Sequence, residues 1–219
     1  MRTRIKICCI QDVEEAKLAV RFGADAIGLV SAMPSGLGPI PEEKIAEIAR
    51  TVPAGVATFL LTSKQDSAGI IAQQKRCGTN TLQLCDQVSV EELKAIRVAL
   101  PGIVLVQVIH VAGPESVAEA LAAAPHVNAL LLDSGNQRLA VKELGGTGRT
   151  HDWSVSREIR DRAGVPVFLA GGLTPENIAD AITTVEPFGV DVCSGIRTPD
   201  SKLDRQKLAA FVNRSIILL

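Results

Sequence analysis

The stretch "RIKICCIQDVEEAKLAVRFGADAIGLV", residues 4–30, contains one strand–helix–strand unit. Its first residues alternate, with Arg4, Lys6 and Cys8 on one side and Ile5, Ile7 and Cys9 on the other. Successive residues of a strand face opposite ways, so this segment is predicted to be a strand with one apolar and one ionisable face. Residues 13–23, "VEEAKLAVRFG", follow an Asp and have a helical pattern with early glutamates, and "DAIGLV", 25–30, is a second strand. The same unit recurs about every 25 residues. Further strands are expected at 55–62, 81–85, 103–109, 128–133, 165–170 and 189–194, with helical stretches such as 41–51, 89–100 and 114–124 between them. Eight strands alternating with eight helices predict an α/β fold, a (β/α)8 TIM barrel forming a single domain over residues 1–219. An open doubly wound sheet fits less well, because no G-x-G-x-x-G follows the first strand and no linker divides the chain.

Composition narrows the function. A net charge of −1, a pI near 6.3 and only 3% aromatic residues exclude the basic, aromatic-rich surfaces that bind nucleic acid or membranes. No apolar run approaches the roughly 18 residues of a membrane span, and the first residues lack a signal-peptide pattern. The five cysteines, Cys8, Cys9, Cys77, Cys85 and Cys193, are odd in number and without C-x-x-C spacing. A disulfide framework or zinc site is therefore not expected, and a reducing cytoplasm is the expected compartment. His110, His126 and His151 have no metal-ligand spacing either, so neither metal nor cofactor is expected.

In a barrel the chemistry lies at the inward-facing C-terminal ends of the strands. Alternation turns Cys8 inward with Lys6 one layer below, and a neighbouring cation lowers a thiol pKa, so Lys6 is expected to prime Cys8 as a thiolate. Cys9 is expected to face away, making Cys9→Gly mild. Gln83 and Cys85 share an inward face, as do Asp191 and Cys193. Asp133 closes an apolar strand, a costly place for a carboxylate unless it is used, although Asp-Ser-Gly is also ordinary turn chemistry. "LAGGLTPEN", 169–177, and "VCSGIRTPD", 192–200, put Gly171-Gly172 and Ser194-Gly195 after strands seven and eight. Paired glycines there let backbone N–H groups approach an anion, and a phosphate site is expected. The connection 133–153 is the longest and carries the Gly-rich "GGTG". Connections of that length are usually functional.

Together these segments resemble the phosphoribosylanthranilate isomerase family over the whole chain. "KICCI" resembles the family's K-[IF]-C-G-I-T, and "LLLDS…GGTGRTHDW" its D…GGTG-x-x-F-D-W. "LAGGLTPENIADAI" and "GVDVCSGI" resemble L-[AS]-G-G-L-x-P-x-N and V-D-[VL]-S-S-G-V. The resemblance implies an Amadori rearrangement of an N-glycosylamine of ribose 5-phosphate, a step of tryptophan biosynthesis that needs no cofactor. Cys8 would be the general base at the ribose C2 proton and Asp133 the general acid at the ring oxygen. Gly171, Gly172, Ser194 and Gly195 would hold the phosphate, with Asp191 near the sugar hydroxyls.

The chain also departs from the family. Cys9 stands at a family Gly and Gln11 at a usual Thr; Cys85 replaces a His, His151 a Phe and Arg197 a Glu. Gly38 fills the place of an Arg that the resemblance implies binds the anthranilate carboxylate. Another cation is then required, and Arg149, in the long loop, is preferred over Arg197, which could instead screen the phosphate. An isomerase of another phosphoribosyl-amine or sugar phosphate, and a barrel that binds a phosphometabolite without turnover, are the alternatives. The expected partner is a small phosphorylated sugar, neither nucleic acid nor membrane, with the chain a monomer or homodimer.

Overall fold

The computed structural model describes residues 2–135, 139–145 and 148–216. Eight parallel strands close into a barrel in sequence order. They are β1 (Arg4–Ile7), β2 (Ala26–Val30), β3 (Ala57–Thr62), β4 (Thr81–Leu84), β5 (Val104–His110), β6 (Ala129–Asp133), β7 (Val167–Leu169) and β8 (Gly189–Val192). Each is followed by a helix: α1 (Val13–Arg21), α2 (Glu42–Thr51), α3 (Ser67–Cys77), α4 (Val90–Ala99), α5 (Glu115–Ala123), α6 (Trp153–Arg162), α7 (Ile178–Val185) and α8 (Arg205–Ser215). The expected (β/α)8 architecture is the observed one. No helix among the described residues is long and apolar enough to cross a membrane.

Local chemistry starts and stops these elements where the sequence signals lie. Asp12, Asp66, Ser89 and Asp204 each cap a helix by accepting a backbone N–H of its first turn. Gly78, at φ 67°, ends α3 in the left-handed conformation that glycine tolerates best. The strands are buried on both faces, which is why they read as runs such as "ALLLD" rather than as clean alternation. Ile5, Ile7, Leu60, Leu82, Leu105 and Leu130 turn outward and pack with the helices. Each such side chain contributes about 1.5–3 kcal/mol of burial. Ala26, Phe59, Val106, Leu131 and Phe168 turn inward and fill the barrel, with Phe59 and Phe168 edge to face at 5.9 Å.

The barrel closes where β1 meets β8, with Arg4 to Ile7 in register with Gly189 to Val192. Arg197 locks this seam from just beyond β8. Its side chain is 2% exposed, pairs with Glu15 of α1 at 3.2 Å, and donates to the carbonyls of Cys8, Cys9 and Ser201. Glu15 in turn accepts from the Leu203 and Gln11 backbone N–H groups. Over the opposite side of the mouth, the connection from β6 to α6 is tied down by two neighbours. Ser35 Oγ donates to the Lys142 carbonyl at 2.7 Å, and Lys142 pairs with the buried Asp86 at 2.6 Å.

Removing one partner of a buried, hydrogen-bonded charge leaves the other unpaired and costs about 3–5 kcal/mol. Arg197→Ala is expected to destabilise the protein by about that amount, lowering Tm by on the order of 10 °C for a chain of this size. Thermal unfolding checks this, and a Tm within about 2 °C of the parent would show that the seam does not depend on the guanidinium.

Candidate active site

The site begins with Lys6. It points into the barrel, where it has no solvent exposure, and its Nζ lies 2.9 Å from Asp191 Oδ2 on the adjacent strand and 5.1 Å from the centre of the Phe59 ring. Burial opposes its charge, but Asp191 and the Cys8 thiol outweigh burial and hold Lys6 above its ordinary pKa. Burial pushes the Asp191 carboxyl up, against the pull of Lys6. Cys8 stands one layer higher on the same face. Gly28 on β2 makes the room: a Cβ there would lie 2.6 Å from Cys8 Sγ and 3.0 Å from Lys6 Nζ.

Asp133 ends β6 and accepts a hydrogen bond from the Ser134 N–H at 2.7 Å. Gly145, at φ 118°, closes over it, since a Cβ would come 2.5 Å from Asp133 Oδ2. Gly171 and Gly172 adopt φ values of 81° and 62°, and Gly172 lies against the backbone of Arg149 and Thr150. Ser194-Gly195 opens a short 3-10 turn (Ser194–Ile196) whose glycine sits too close to the Leu173 carbonyl to admit a side chain. The Gly171-Gly172 and Ser194-Gly195 turns therefore end up beside one another. One cavity at the mouth is lined by Cys8, Asp133, Gly171, Gly172, Asp191 and Ser194. Gln83 lines it too, and Gln83 Oε1 and Asp191 Oδ1 are buried acceptors without a hydrogen-bond partner among the described residues. A thiol, a carboxylate, two open acceptors and two glycine loops thus face one space, a set suited to a hydroxylated, phosphorylated ligand.

Several expectations change. Lys6 does not prime a thiolate. Burial and the Asp191 charge raise the Cys8 pKa to about 11, and Lys6, already paired with Asp191, offsets this only in part. Cys9 does not continue the strand alternation, because β1 ends at Ile7 and Cys9 takes φ 61°, which turns it onto the cavity wall. Cys9 is also disulfide-bonded to Cys193, contrary to the expectation of no disulfide. The two are 184 residues apart, and only closure of the barrel brings them together. Arg197 is neither on the phosphate nor in solvent, but buried in the β1–β8 seam. Arg149 points out of the cavity to an exposed ion pair with Glu143. Gly195 is half-buried beside Ser194 in the same turn and does not itself line the cavity. Gly146 and Thr147 of "GGTG" lie outside the described residues.

One neighbour carried no sequence signal beyond its departure from the family pattern. His151 is half-buried, accepts or donates at 2.7 Å with Ser156 Oγ, and has its Nδ1 3.1 Å from where a Gly171 Cβ would stand. Burial holds its pKa below the ordinary value, against the pull of Asp133 and Asp152.

Known proteins resemble this chain over nearly its whole length. The chain is 36% identical over 213 residues to N-(5'-phosphoribosyl)anthranilate isomerase 2 of Methanosarcina mazei, spanning 97% of this chain and 93% of that one. The crystal structure of phosphoribosyl anthranilate isomerase from Thermotoga maritima superposes with a TM-score of 0.84 at 30% identity, over 97% of this chain and 98% of that one. A crystal structure of the isomerase in complex with reduced 1-(o-carboxyphenylamino)-1-deoxyribulose 5-phosphate matches with a TM-score of 0.81 at 28% identity, over 97% and 98%. Residues 5–214 match the family model described as N-(5'phosphoribosyl)anthranilate (PRA) isomerase. Matched by that model over most of its length and 36% identical to a named relative across 97% of it, this chain belongs to the N-(5'-phosphoribosyl)anthranilate isomerase family.

Proposed function

We propose that Cys8 and Asp133 are the acid–base pair with which this chain performs its family's reaction, the Amadori rearrangement of N-(5-phosphoribosyl)anthranilate to the carboxyphenylamino-deoxyribulose 5-phosphate. The observation that carries this is the single cavity onto which Cys8, Asp133, Asp191 and both glycine loops open. In this proposal Asp133 protonates the ring oxygen as the furanose opens, and Cys8 removes the C2 proton of the resulting imine. Asp191 accepts from a sugar hydroxyl through its open Oδ1. The phosphate lies against the backbone N–H groups of Gly171, Gly172, Ser194 and Gly195, where glycine admits close approach.

The neutral resting thiol shapes the mechanism. Burial, and after it the Asp191 charge, keeps Cys8 protonated. A sugar hydroxyl that donates to Asp191 offsets part of that charge while Lys6 keeps its own, so forming the thiolate costs less in the complex than in the free protein. Arg149 remains the proposed partner of the substrate carboxylate. Its pair with Glu143 is exposed, and such pairs contribute only about 0–1 kcal/mol, so Arg149 can exchange Glu143 for the ligand.

Cys8→Ala and Asp133→Asn are each expected to lower kcat by about 10²- to 10⁴-fold with little loss of phosphate affinity. Steady-state kinetics with phosphoribosylanthranilate checks this, and near-parental turnover in either variant ends the assignment. In the free protein, iodoacetamide should alkylate Cys8 about tenfold faster per pH unit from roughly pH 7 to 10, because the thiolate is the nucleophile. Peptide mass mapping reads the rate, and levelling near pH 8 would instead indicate a thiolate already primed at rest. For Arg149→Ala, KM should rise about tenfold or more, equivalent to about 1.4 kcal/mol. An unchanged KM would remove Arg149 from the site.

A further inference from the structure

Cys9 and Cys193 lie just past the last rung of the β1–β8 ladder, where Cys8 N–H donates to the Val192 carbonyl at 2.8 Å. Their Cα atoms are 5.9 Å apart, within the normal span of a disulfide. The bond thus continues the seam at the point where hydrogen bonding stops. It joins the residue after Cys8 to the residue before Ser194.

The surroundings are shaped to this bond. Cys9 holds φ 61°, a conformation that favours glycine. Across from it Gly38, at φ 85°, leaves the space the sulfur needs, since a Cβ there would lie 2.6 Å from Cys9 Cβ and 3.3 Å from Cys9 Sγ. Both cysteines line the cavity, and Cys193 is the more exposed of the two, so a small thiol can reach it through the mouth. The other thiols, Cys8, Cys77 and Cys85, are buried, and burial holds each of them well above the ordinary cysteine pKa. Near neutral pH this pair is therefore where thiol–disulfide exchange can occur.

We propose that Cys9–Cys193 is a reversible dithiol–disulfide site whose oxidised form holds the β8 loop ready for phosphate and whose reduction weakens phosphate binding. This rests on the proposed phosphate role of Ser194 and Gly195. Reduction proceeds by attack of a small-molecule thiolate on Cys193 Sγ, breaking the S–S bond and releasing Cys9 as a thiolate that takes a proton. A second thiolate attacks the small-molecule sulfur of the mixed disulfide and frees Cys193, which takes another proton, leaving two protein thiols and one small disulfide. Oxidation is the reverse, with a low-molecular-weight disulfide such as oxidised glutathione as oxidant.

The two ends respond differently once the bond opens. Arg197 still holds the Cys8 and Cys9 carbonyls, so the end of β1 stays in place. Cys193 precedes a turn held by single hydrogen bonds, Ile196 N–H to the Cys193 carbonyl at 3.3 Å and Arg197 N–H to the Ser194 carbonyl at 3.1 Å. The freedom gained falls on Cys193 and Ser194, so affinity changes more than the chemical step.

The test uses the full chain, equilibrated with oxidised glutathione or with dithiothreitol and then freed of reagent. Alkylation and intact mass confirm the state: three of the five cysteines are free when the pair is bonded. Inorganic phosphate is titrated by calorimetry and kinetics are run with phosphoribosylanthranilate. Reduction should raise the phosphate Kd and the KM by about fivefold or more, with kcat changing less than about twofold, as expected when pre-organisation is lost. Oxidised glutathione should restore both. Cys9→Gly, which suits φ 61°, and Cys193→Ser should each sit at the reduced-state values and ignore both reagents. Five alkylated cysteines after oxidation, or equal phosphate Kd in the two states, overturns the proposal and leaves the isomerase assignment intact. Turnover without phosphate binding in either state removes the phosphate site and this inference with it.

Discussion

A lysine ammonium with no access to water needs a counter-charge within a few ångströms, and Lys6 has Asp191 at 2.9 Å. That requirement organises the upper half of the barrel. It demands that β1 and β8 be neighbours in the register that sets Lys6 beside Asp191, which is the register observed. It demands a glycine at position 28, because the space above the pair is taken by the ammonium and the Cys8 sulfur. It also decides the resting state of the thiol. A free cation beside Cys8 would lower its pKa, whereas a cation already committed to a carboxylate leaves burial and the carboxylate to raise it.

The rest of the mouth is built by loops that brace one another. The β6–α6 connection reaches Ser35 on one side and Asp86 on another, which brings Gly145 down onto Asp133. Gly172 lets the β7 loop lie against the backbone of Arg149 and Thr150, and Gly195 lets the β8 turn lie against Leu173. In each case the absence of a side chain sets a separation between backbones. The glycines that read as anion-binding signals are thus also packing devices that bring two loops into one wall.

Two departures from the family pattern, Cys9 and Gly38, form one physical unit with Cys193. Cys9, Cys193 and Gly38 meet at a single point: a sulfur bridge between two strand ends, and a residue without a side chain opposite it. An arginine at position 38 would collide with Cys9 as the backbone stands, so the missing cation and the extra sulfur are linked by volume.

The sequence by itself determined the barrel, because eight runs of buried-strand composition separated by capped helices have few other ways to bury their apolar faces. It also determined which strand-end residues face inward, since a two-residue period within β1, β4 and β8 needs no knowledge of the partner strand. Cys8, Gln83 and Asp191 were legible for that reason, Asp133 because a carboxylate closing an apolar strand is costly unless used, and the glycine turns because their chemistry is local. Tertiary structure alone decided what each of these groups touches. Lys6 looked like a free cation beside a thiol until Asp191, on a strand 185 positions later, claimed it. Cys9 followed the alternation on paper, but β1 stops at Ile7 and a positive φ redirects it. Arg197 read as a cation for the substrate carboxylate or the phosphate, yet barrel closure sets it against Glu15 and two carbonyls from the opposite end of the chain. Periodicity reports the direction of a side chain along its own element. Charge state, disulfide pairing and ion pairing depend on distances between elements, and those exist only once the barrel has closed.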